Sequence, residues 1–587
     1  MLIDKAKPGF MERFFRPVQR TVLFSLTTLA ILLVVNSHQK CNKQEILFFD
    51  NPDALCPIAG TILPKESWIA NQTRHVLEDV DFREKSAAKL GGAVKVPTVV
   101  FDDWKSPKDD AEKWSEFAAF HKYLEQTFAT VYDTLKVDKI NEYGLVFTWE
   151  GSNSSMKPIL LTAHIDVVPV AQETVSDWKH PPFSGFYDGD HVWGRGSSDC
   201  KNLLVALLET LELLVADNFK PTRSIVVAFG YDEEASGNYG AQSIGEFLLT
   251  KYGRNSFYAI LDEGSTGLAR VGGKLINMIC TGEKGYLDSV IELKTPGGHS
   301  SIPPKHTSIG IMADLIHLIE ENDFEPALIN TNPELSLLQC LAENTDIDVS
   351  LKKDILRAHL DVSANSRIVD YLSKDFFGKA TIKTSQAVDM IKGGIKSNAL
   401  PEDVSILVNH RISVQDSVNT VGEHIEDLIL QIAEQYDLGL IHDGETIREI
   451  SKFGYFNYTG TQPLNPAPLT PINGRVWETL TGTIRGVFET YFLPENATLP
   501  IISAPGLSTG NTDTKSYWKL TDNIYRWIPS ALTITSAEDE NAGIHSVNEH
   551  VSVDSHLQTI AFYINYLRII DTEFDEEEQS DAVEFIF

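Results

Sequence analysis

Three short apolar runs of this chain each end on residues that carry chemistry. Pro158 to Ala163 leads into His164-Ile165-Asp166, Arg223 to Gly230 into Tyr231-Asp232-Glu233-Glu234, and Phe257 to Leu261 into Asp262. A spacing of about thirty residues between the acids leaves room for one helix between successive parallel strands. Asn202 to Val215, apolar at helical spacing, supplies such a helix directly after Gly194-Arg195-Gly196-Ser197-Ser198-Asp199-Cys200-Lys201. The pattern predicts an α/β domain in which strand ends from separate parts of the chain converge on one rim. A further histidine, His545, lies far downstream.

Each piece has an ordinary alternative when taken alone. His164 and Asp166 share one face of an extended chain, and a metal-bound histidine usually passes its second N–H to a carboxylate, but a strand-end hydrogen bond needs the same two residues. Asp199 before a helix serves equally as an N-cap. Adjacent glutamates suit a division of labour, one binding a metal while its neighbour acts as general base toward water; the plain alternative is a solvated acidic turn.

Read in order, the stretches LLTAHIDVVPV, WGRGSSDCKN, GYDEEASG, LDEG, GGHSS, SNALPED, GNTDTKSYW and IHSVNEH cover Leu160 to His550. On these the chain resembles the M20 family of metallopeptidases, and within it the branch of yeast-type vacuolar carboxypeptidases and secreted N-acyl-amino-acid hydrolases. The resemblance implies a zinc-peptidase catalytic domain with a mixed, largely parallel sheet, and an inserted α+β lid domain. It implies two zinc ions, with manganese or cobalt as alternatives. Asp199 would bridge them, His164 and Asp262 would complete one set of ligands, and Glu234 and His545 the other. Glu233 would be the general base and Asp166 the carboxylate behind His164. Some family members carry Glu where this chain has Asp262. The family also places a cis peptide after the bridging Asp, here Asp199-Cys200.

The resemblance further implies that His299, in Gly297-Gly298-His299-Ser300-Ser301, steadies a tetrahedral oxyanion from the lid; a turn-capping histidine is the alternative. Asn398 and Arg411 would hold substrate, since an Arg fork suits a terminal carboxylate, although an ordinary strand Arg looks the same. The loop at Gly510 would offer backbone N–H groups to an anion, or be only a turn. Relatives that dimerise do so through the lid, so a homodimer is compatible with the sequence.

At 587 residues the chain exceeds what one core usually sustains. The sequence divides into a first catalytic part at 71–284, the lid at 285–460, and a second catalytic part at 461–570, with Pro463-Leu464-Asn465-Pro466-Ala467-Pro468 marking the return. Within the insertion, 334–376 adds helical sequence with no assignable job.

The N-terminus reads as a basic cytosolic tail at 1–20, an uncharged apolar run at 21–35, and a stalk at 36–70. Lys5, Lys7, Arg13, Arg16 and Arg20 before the run predict a type II signal anchor with the enzyme across the membrane. The run is short for a span, so a cleaved signal peptide and secretion are the alternative. Sequons at Asn71, Asn153, Asn457 and Asn496 are compatible with a glycosylated lumenal chain. Of five cysteines, Cys41 and Cys56 are expected to pair in an oxidising lumen and Cys200, Cys280 and Cys340 to be buried. A formal net charge of -32, to which the acidic tail at 571–587 contributes, excludes a nucleic-acid partner.

The expected function is a di-zinc carboxypeptidase that releases C-terminal residues from short or N-blocked peptides in the vacuolar lumen. An N-acyl-amino-acid amidohydrolase would use the same site, because both substrates place an amide beside a free carboxylate. The third alternative is a silent, membrane-tethered binding protein.

Overall fold

The computed structural model describes residues 54–494, 497, 499–531 and 543–572. The expected anchor at 21–35, Cys41, Asn496 and the acidic tail beyond 572 lie outside the described residues. No helix among the described residues is long and apolar enough to cross a membrane.

Runs such as Ile159–His164 and Ile225–Gly230 are apolar along their whole length and buried at every position, as strands covered on both faces must be. They sit in a nine-stranded mixed sheet. At its centre Ile159–His164 pairs in parallel with Ile225–Gly230 on one side and Ile260–Thr266 on the other, and Ile524–Ile528 continues the parallel run. Lys136–Ile140 and Gly144–Trp149 close one flank in antiparallel fashion. On the other flank Lys274–Glu283 meets Ile524–Ile528 antiparallel and Ile501–Ser508 parallel. Successive strand residues face opposite ways, so Leu161 and Val227 join the core under the helices Lys201–Ala216 and Val553–Thr572. Leu160 and Val226 face the smaller core under Ala241–Tyr252.

A six-stranded sheet follows after a single residue. Lys274–Glu283 belongs to the first sheet and Gly285–Lys294 to the second, and only Lys284 lies between them. The second sheet runs Ser385–Gly393, Asp403–Ile412, Gly285–Lys294, Tyr455–Leu464, Gly439–His442, Glu445–Arg448. Asp403–Ile412 alternates buried with half-buried positions, because one face carries the helices Ser308–Glu321 and Val418–Tyr436 while the other is barely covered. At the crossing, a Cβ on Gly285 would lie 2.4 Å from the Leu464 carbonyl oxygen, so only glycine lets the outgoing and returning chains touch. The Lys284 ammonium is buried beside this crossing and donates to the carbonyls of Ala380 (3.0 Å) and Lys383 (2.7 Å). Burial, with Arg411 and Lys383 nearby, lowers it to about 7.

The extra helical sequence of the insertion forms four helices, Pro333–Asn344, Val349–Arg357, Val362–Leu372 and Phe376–Thr381, around a small core of their own. Pro333–Asn344 also covers the first sheet, where Leu337 and Leu341 pack on Ile276, Met278, Ile502 and Ala504. This annex therefore rests on the catalytic sheet, although it lies within the inserted sequence.

Two expectations about the N-terminal region are corrected. Cys56 bonds to Cys340, not to Cys41, because residues 54–64 run across the folded body and bring Cys56 onto the helix Pro333–Asn344. Cys200 and Cys280 are free and buried, as expected. The second correction is that the latter part of the expected stalk is packed. The backbone N–H groups of Leu55 and Cys56 donate to the Glu343 carboxylate, Ile62 donates to the Gly482 carbonyl at 2.9 Å, and Arg485 donates to the Ala59 carbonyl. A Cβ on Gly486 would lie 2.0 Å from the Ile62 carbonyl oxygen, so the strap needs that glycine to lie flat. The helix Ser67–Glu78 then begins inside the predicted stalk.

The C56S/C340S double substitution is expected to lower stability by about 2–5 kcal/mol, read as a fall in the denaturant midpoint. Reductant should shift the natural chain in the same direction and leave the variant unmoved.

Candidate active site

The parallel pairing places the ends of three adjacent strands on one rim. His164 ends Ile159–His164, Asp262 and Glu263 lie in Ile260–Thr266, and Glu233–Ala235 is a short turn just after Ile225–Gly230. Asp199 precedes the helix Lys201–Ala216, and the Asp199-Cys200 peptide is cis. His545 arrives from the far C-terminal segment in a left-handed backbone conformation, φ 56°.

The carboxylate of Asp199 divides its oxygens between two histidines. Its Oδ1 lies 3.1 Å from His164 Nε2 and its Oδ2 lies 3.3 Å from His545 Nε2. Glu263 Oε1 approaches His164 Nε2 at 3.5 Å, and Glu234 Oε2 approaches His545 Nε2 at 3.0 Å. The result is two groups, each of one imidazole and two carboxylates, sharing Asp199. Cys200 falls within reach of the first group, but its thiol is engaged with the His164 backbone and burial pushes it well above the usual thiol range, so it stays protonated.

Histidine nitrogen and carboxylate oxygen in sets of three, joined by a shared carboxylate, fit a pair of divalent cations. The electrostatics point the same way. Burial, with Asp199 adding to it, raises Glu263 to about 8 and Glu234 to about 7. Burial and the Glu263 charge push Glu233 well above the usual carboxylate range. Burial opposes a charge on His545, yet Asp199 and Glu234 lift it to about 10. Cations at the two groups would replace the protons that this crowding otherwise holds.

Asp166 ties the two groups together. His164 Nδ1 bonds to the Asp166 backbone carbonyl at 3.0 Å, with Oδ1 3.3 Å away, and Oδ2 accepts the backbone N–H of Glu234 at 2.9 Å. A second brace is fully buried. Glu549 accepts the N–H groups of Ser198 (3.0 Å) and Asp199 (3.2 Å) and pairs with Arg195 at 2.6 Å, while Arg195 also donates to the Ser546 carbonyl. Sequence reasoning passed over both Arg195 and Glu549, although they lie within WGRGSSDCKN and IHSVNEH.

The second carboxylate at His164 is that of Glu263, the neighbour of the expected Asp262. The strand is irregular here, Glu263 and Gly264 lying between Asp262 and Ser265, which pair with the successive residues Arg526 and Trp527. Asp262 turns into the interior beside Thr162, within range of the Asp513 charge, and its Oδ2 has no hydrogen-bond partner among the described residues. Asp262-Glu263 is a second pair of adjacent acids, like Glu233-Glu234, and adjacency alone does not say which of the two faces His164.

The remaining expected residues fall into two places. His299 and Asn398 lie together on an exposed ribbon, where Gly298–His299 pairs with Ala399–Leu400 and Ser300 donates to the Asn398 carbonyl. Among the described residues, the side-chain hydrogen bonds of His299 run to Ser301 within the ribbon itself. The Ser301 N–H donates to His299 Nδ1 at 3.1 Å, which makes Nδ1 an acceptor and leaves the proton of the neutral ring on Nε2, facing outward. Arg411, half-buried, lies over the Tyr286 ring within range of the Glu233 charge. The Gly510 N–H is taken by the Ser508 hydroxyl at 3.2 Å, and its neighbour Asn511 accepts from Arg411. Ser236, in the glutamate loop, donates to Gln462 at the end of the second sheet, a further link between the two sheets.

Residues 160–569 match the model of Peptidase family M20/M25/M40. Carboxypeptidase S of Saccharomyces cerevisiae is 45% identical over 497 residues, covering 84% of this chain and 85% of that protein. The human N-fatty-acyl-amino acid synthase/hydrolase PM20D1 is 31% identical over 496 residues, covering 82% and 87%. In fold, human carnosine dipeptidase 1 matches with a TM-score of 0.55 at 15% identity, over 86% of this chain and 99% of that one. With two imidazole–carboxylate groups sharing Asp199 on the rim of its sheet, the chain belongs to peptidase family M20/M25/M40.

Proposed function

We propose that the chain is a two-metal carboxypeptidase that hydrolyses the last peptide bond of short or N-blocked peptides bearing a free C-terminal carboxylate. The observation that carries this reading is the Asp199 carboxylate divided between His164 and His545, with Glu233 beside both groups. The likeness to carboxypeptidase S over most of both chains supports it.

His164, Asp199 and Glu263 would hold one divalent cation, and Asp199, Glu234 and His545 the other, zinc being suited to this donor set. Bound there, the metal ions supply the positive charge that acidifies the attacking water and polarises the scissile carbonyl. Glu233 is not needed as a ligand. Its raised proton affinity fits a base that takes the proton of the attacking water and delivers it to the departing nitrogen. Asp166 fixes the His164 ring and, through the Glu234 N–H, the approach of the second group. Arg411 has no carboxylate ion pair among the described residues and a planar ring beneath it, which suits a substrate carboxylate. His299, with its donor on Nε2, would steady the oxyanion once the second sheet closes on the first. The insertion is read as that lid, with Lys284 at the pivot.

A second reading, hydrolysis of N-acyl amino acids, has one structural observation behind it. The ribbon carrying His299 and Asn398 is flanked by Ile302 and Ile395, 81% and 104% exposed, an apolar surface that an acyl chain would cover. The likeness to PM20D1 supports it as well. Side-by-side hydrolysis of an N-blocked dipeptide and an N-fatty-acyl amino acid distinguishes the two. The Cys56–Cys340 disulfide supports a lumenal or extracellular habitat, for which the vacuole is our proposal.

Glu233→Gln should reduce kcat by about 10²–10⁴-fold with metal content retained; unchanged turnover would remove Glu233 as the base. Glu263→Gln should lose about one of two bound metal ions by elemental analysis, whereas Asp262→Asn should keep both; the reverse result would restore Asp262 as the ligand. Metal binding must displace protons from the site, so affinity should weaken as pH falls below about 10, where His545 takes up a proton in the metal-free form, and further through about 8 to about 7, where Glu263 and Glu234 do. Metal retention across a falling pH series reads this directly.

A further inference from the structure

Among the described residues, the guanidinium of Arg411 makes no carboxylate ion pair and its direct partners are neutral, with the Asp288, Asp389 and Glu233 charges acting on it from farther off. It leaves the Asp403–Ile412 strand and lies over the Tyr286 ring, 4.6 Å from its centroid. The ring is fixed in turn, since the Tyr286 hydroxyl donates to Asp288 Oδ2 at 3.0 Å and Asn409 donates to Asp288 Oδ1 at 2.8 Å. The guanidinium itself donates from Nη1 to Asn511 Oδ1, at 3.3 Å.

The orientation of the Asn511 amide is determined by its other partner. Nδ2 donates to the Lys284 carbonyl at 2.6 Å. A carbonyl accepts and never donates, so the NH₂ end must face Lys284 and the oxygen must face Arg411. Beneath it the loop is anchored by charge. The Thr512 and Thr514 hydroxyls donate to the two oxygens of Glu283 at 2.8 and 3.1 Å, and Glu283 pairs with Arg526 at 3.0 Å, both fully buried. The anchorage thus passes from the first sheet, through one amide oxygen, to an arginine of the second.

We propose that Asn511 is a positioning residue that aims the Arg411 fork without neutralising it, and thereby sets the discrimination between a free C-terminal carboxylate and an amidated terminus. An acidic residue here would grip the fork more tightly but cancel the charge that a substrate carboxylate needs. A residue without an acceptor would leave a long side chain to be ordered by the substrate itself, at an entropic cost. The inference rests on the reading of Arg411 as the carboxylate-holding group.

The test measures kcat and KM on an N-blocked dipeptide, and the inhibition constant of the matching dipeptide amide, for the zinc-loaded natural chain, N511A, N511D and R411A. In N511A, KM for the acid should rise about tenfold with kcat little changed and the amide constant unmoved. In N511D, which is isosteric but also loses the bond to the Lys284 carbonyl, KM should rise further because the new carboxylate pairs with the fork; should either Asn511 variant fail to fold, the other carries the test. An unchanged KM in both Asn511 variants, while R411A loses its preference for the acid, overturns the role of Asn511 alone. Equal weakening toward acid and amide overturns it too, as general damage to the loop. Undiminished preference in R411A overturns the Arg411 reading and this inference with it.

Discussion

The fold has to hold several acids close together in a buried place. Asp199, Glu233, Glu234 and Glu263 crowd around His164 and His545; lost hydration and neighbouring charge hold the three glutamates above the usual carboxylate range, while the two imidazoles, against the same lost hydration, hold Asp199 below it. No flexible loop alone could keep this arrangement. His164, Glu233, Glu234 and Glu263 stand at or just past the ends of buried parallel strands, whose backbones are fixed by hydrogen bonds on both sides, while Asp199 and His545 come from loops outside the sheet. The arrangement is then tightened by Asp166 from within the rim and by the Glu549–Arg195 pair from below. Metal ions would relieve the repulsion, so the same crowding that costs stability in the empty protein drives cation binding.

Much of this was legible because strand-end chemistry follows from chain pattern. A buried strand must be apolar, its end must be polar, and parallel strands end on the same side, so the chain pattern and the family motifs together suffice to group His164, Asp199, Glu233, Glu234 and His545. The step from Asp262 to Glu263 was not legible. The Ile260–Thr266 strand breaks register just after Asp262, and a short apolar run does not reveal such an irregularity. The Cys56–Cys340 pairing was hidden for a different reason: it depends on a strap and an annex meeting across the fold, with 284 residues between them. The exposed place of His299 on a two-stranded ribbon was equally beyond reach, since so short a pairing has no local signature.

The fully buried Arg526 and Glu283 show the same limit from the other direction. Neither lies in a pattern that marks it as buried; their pairing is a property of where the Ile524–Ile528 strand enters the sheet beside Lys274–Glu283. Thr512 and Thr514 complete the coordination of the Glu283 carboxylate, which turns a stretch that reads as a simple turn into one of the most firmly held loops near the site.

The disulfide has a topological consequence as well as an energetic one. Cys56 and Cys340 enclose the stretch that supplies His164, Asp199, Glu233, Glu234 and Glu263, while His545 lies beyond it. A single backbone cut anywhere inside that ring leaves its two pieces joined through sulfur. A chain working among other peptidases could therefore be nicked once in its loops and still keep both metal groups on one covalent body.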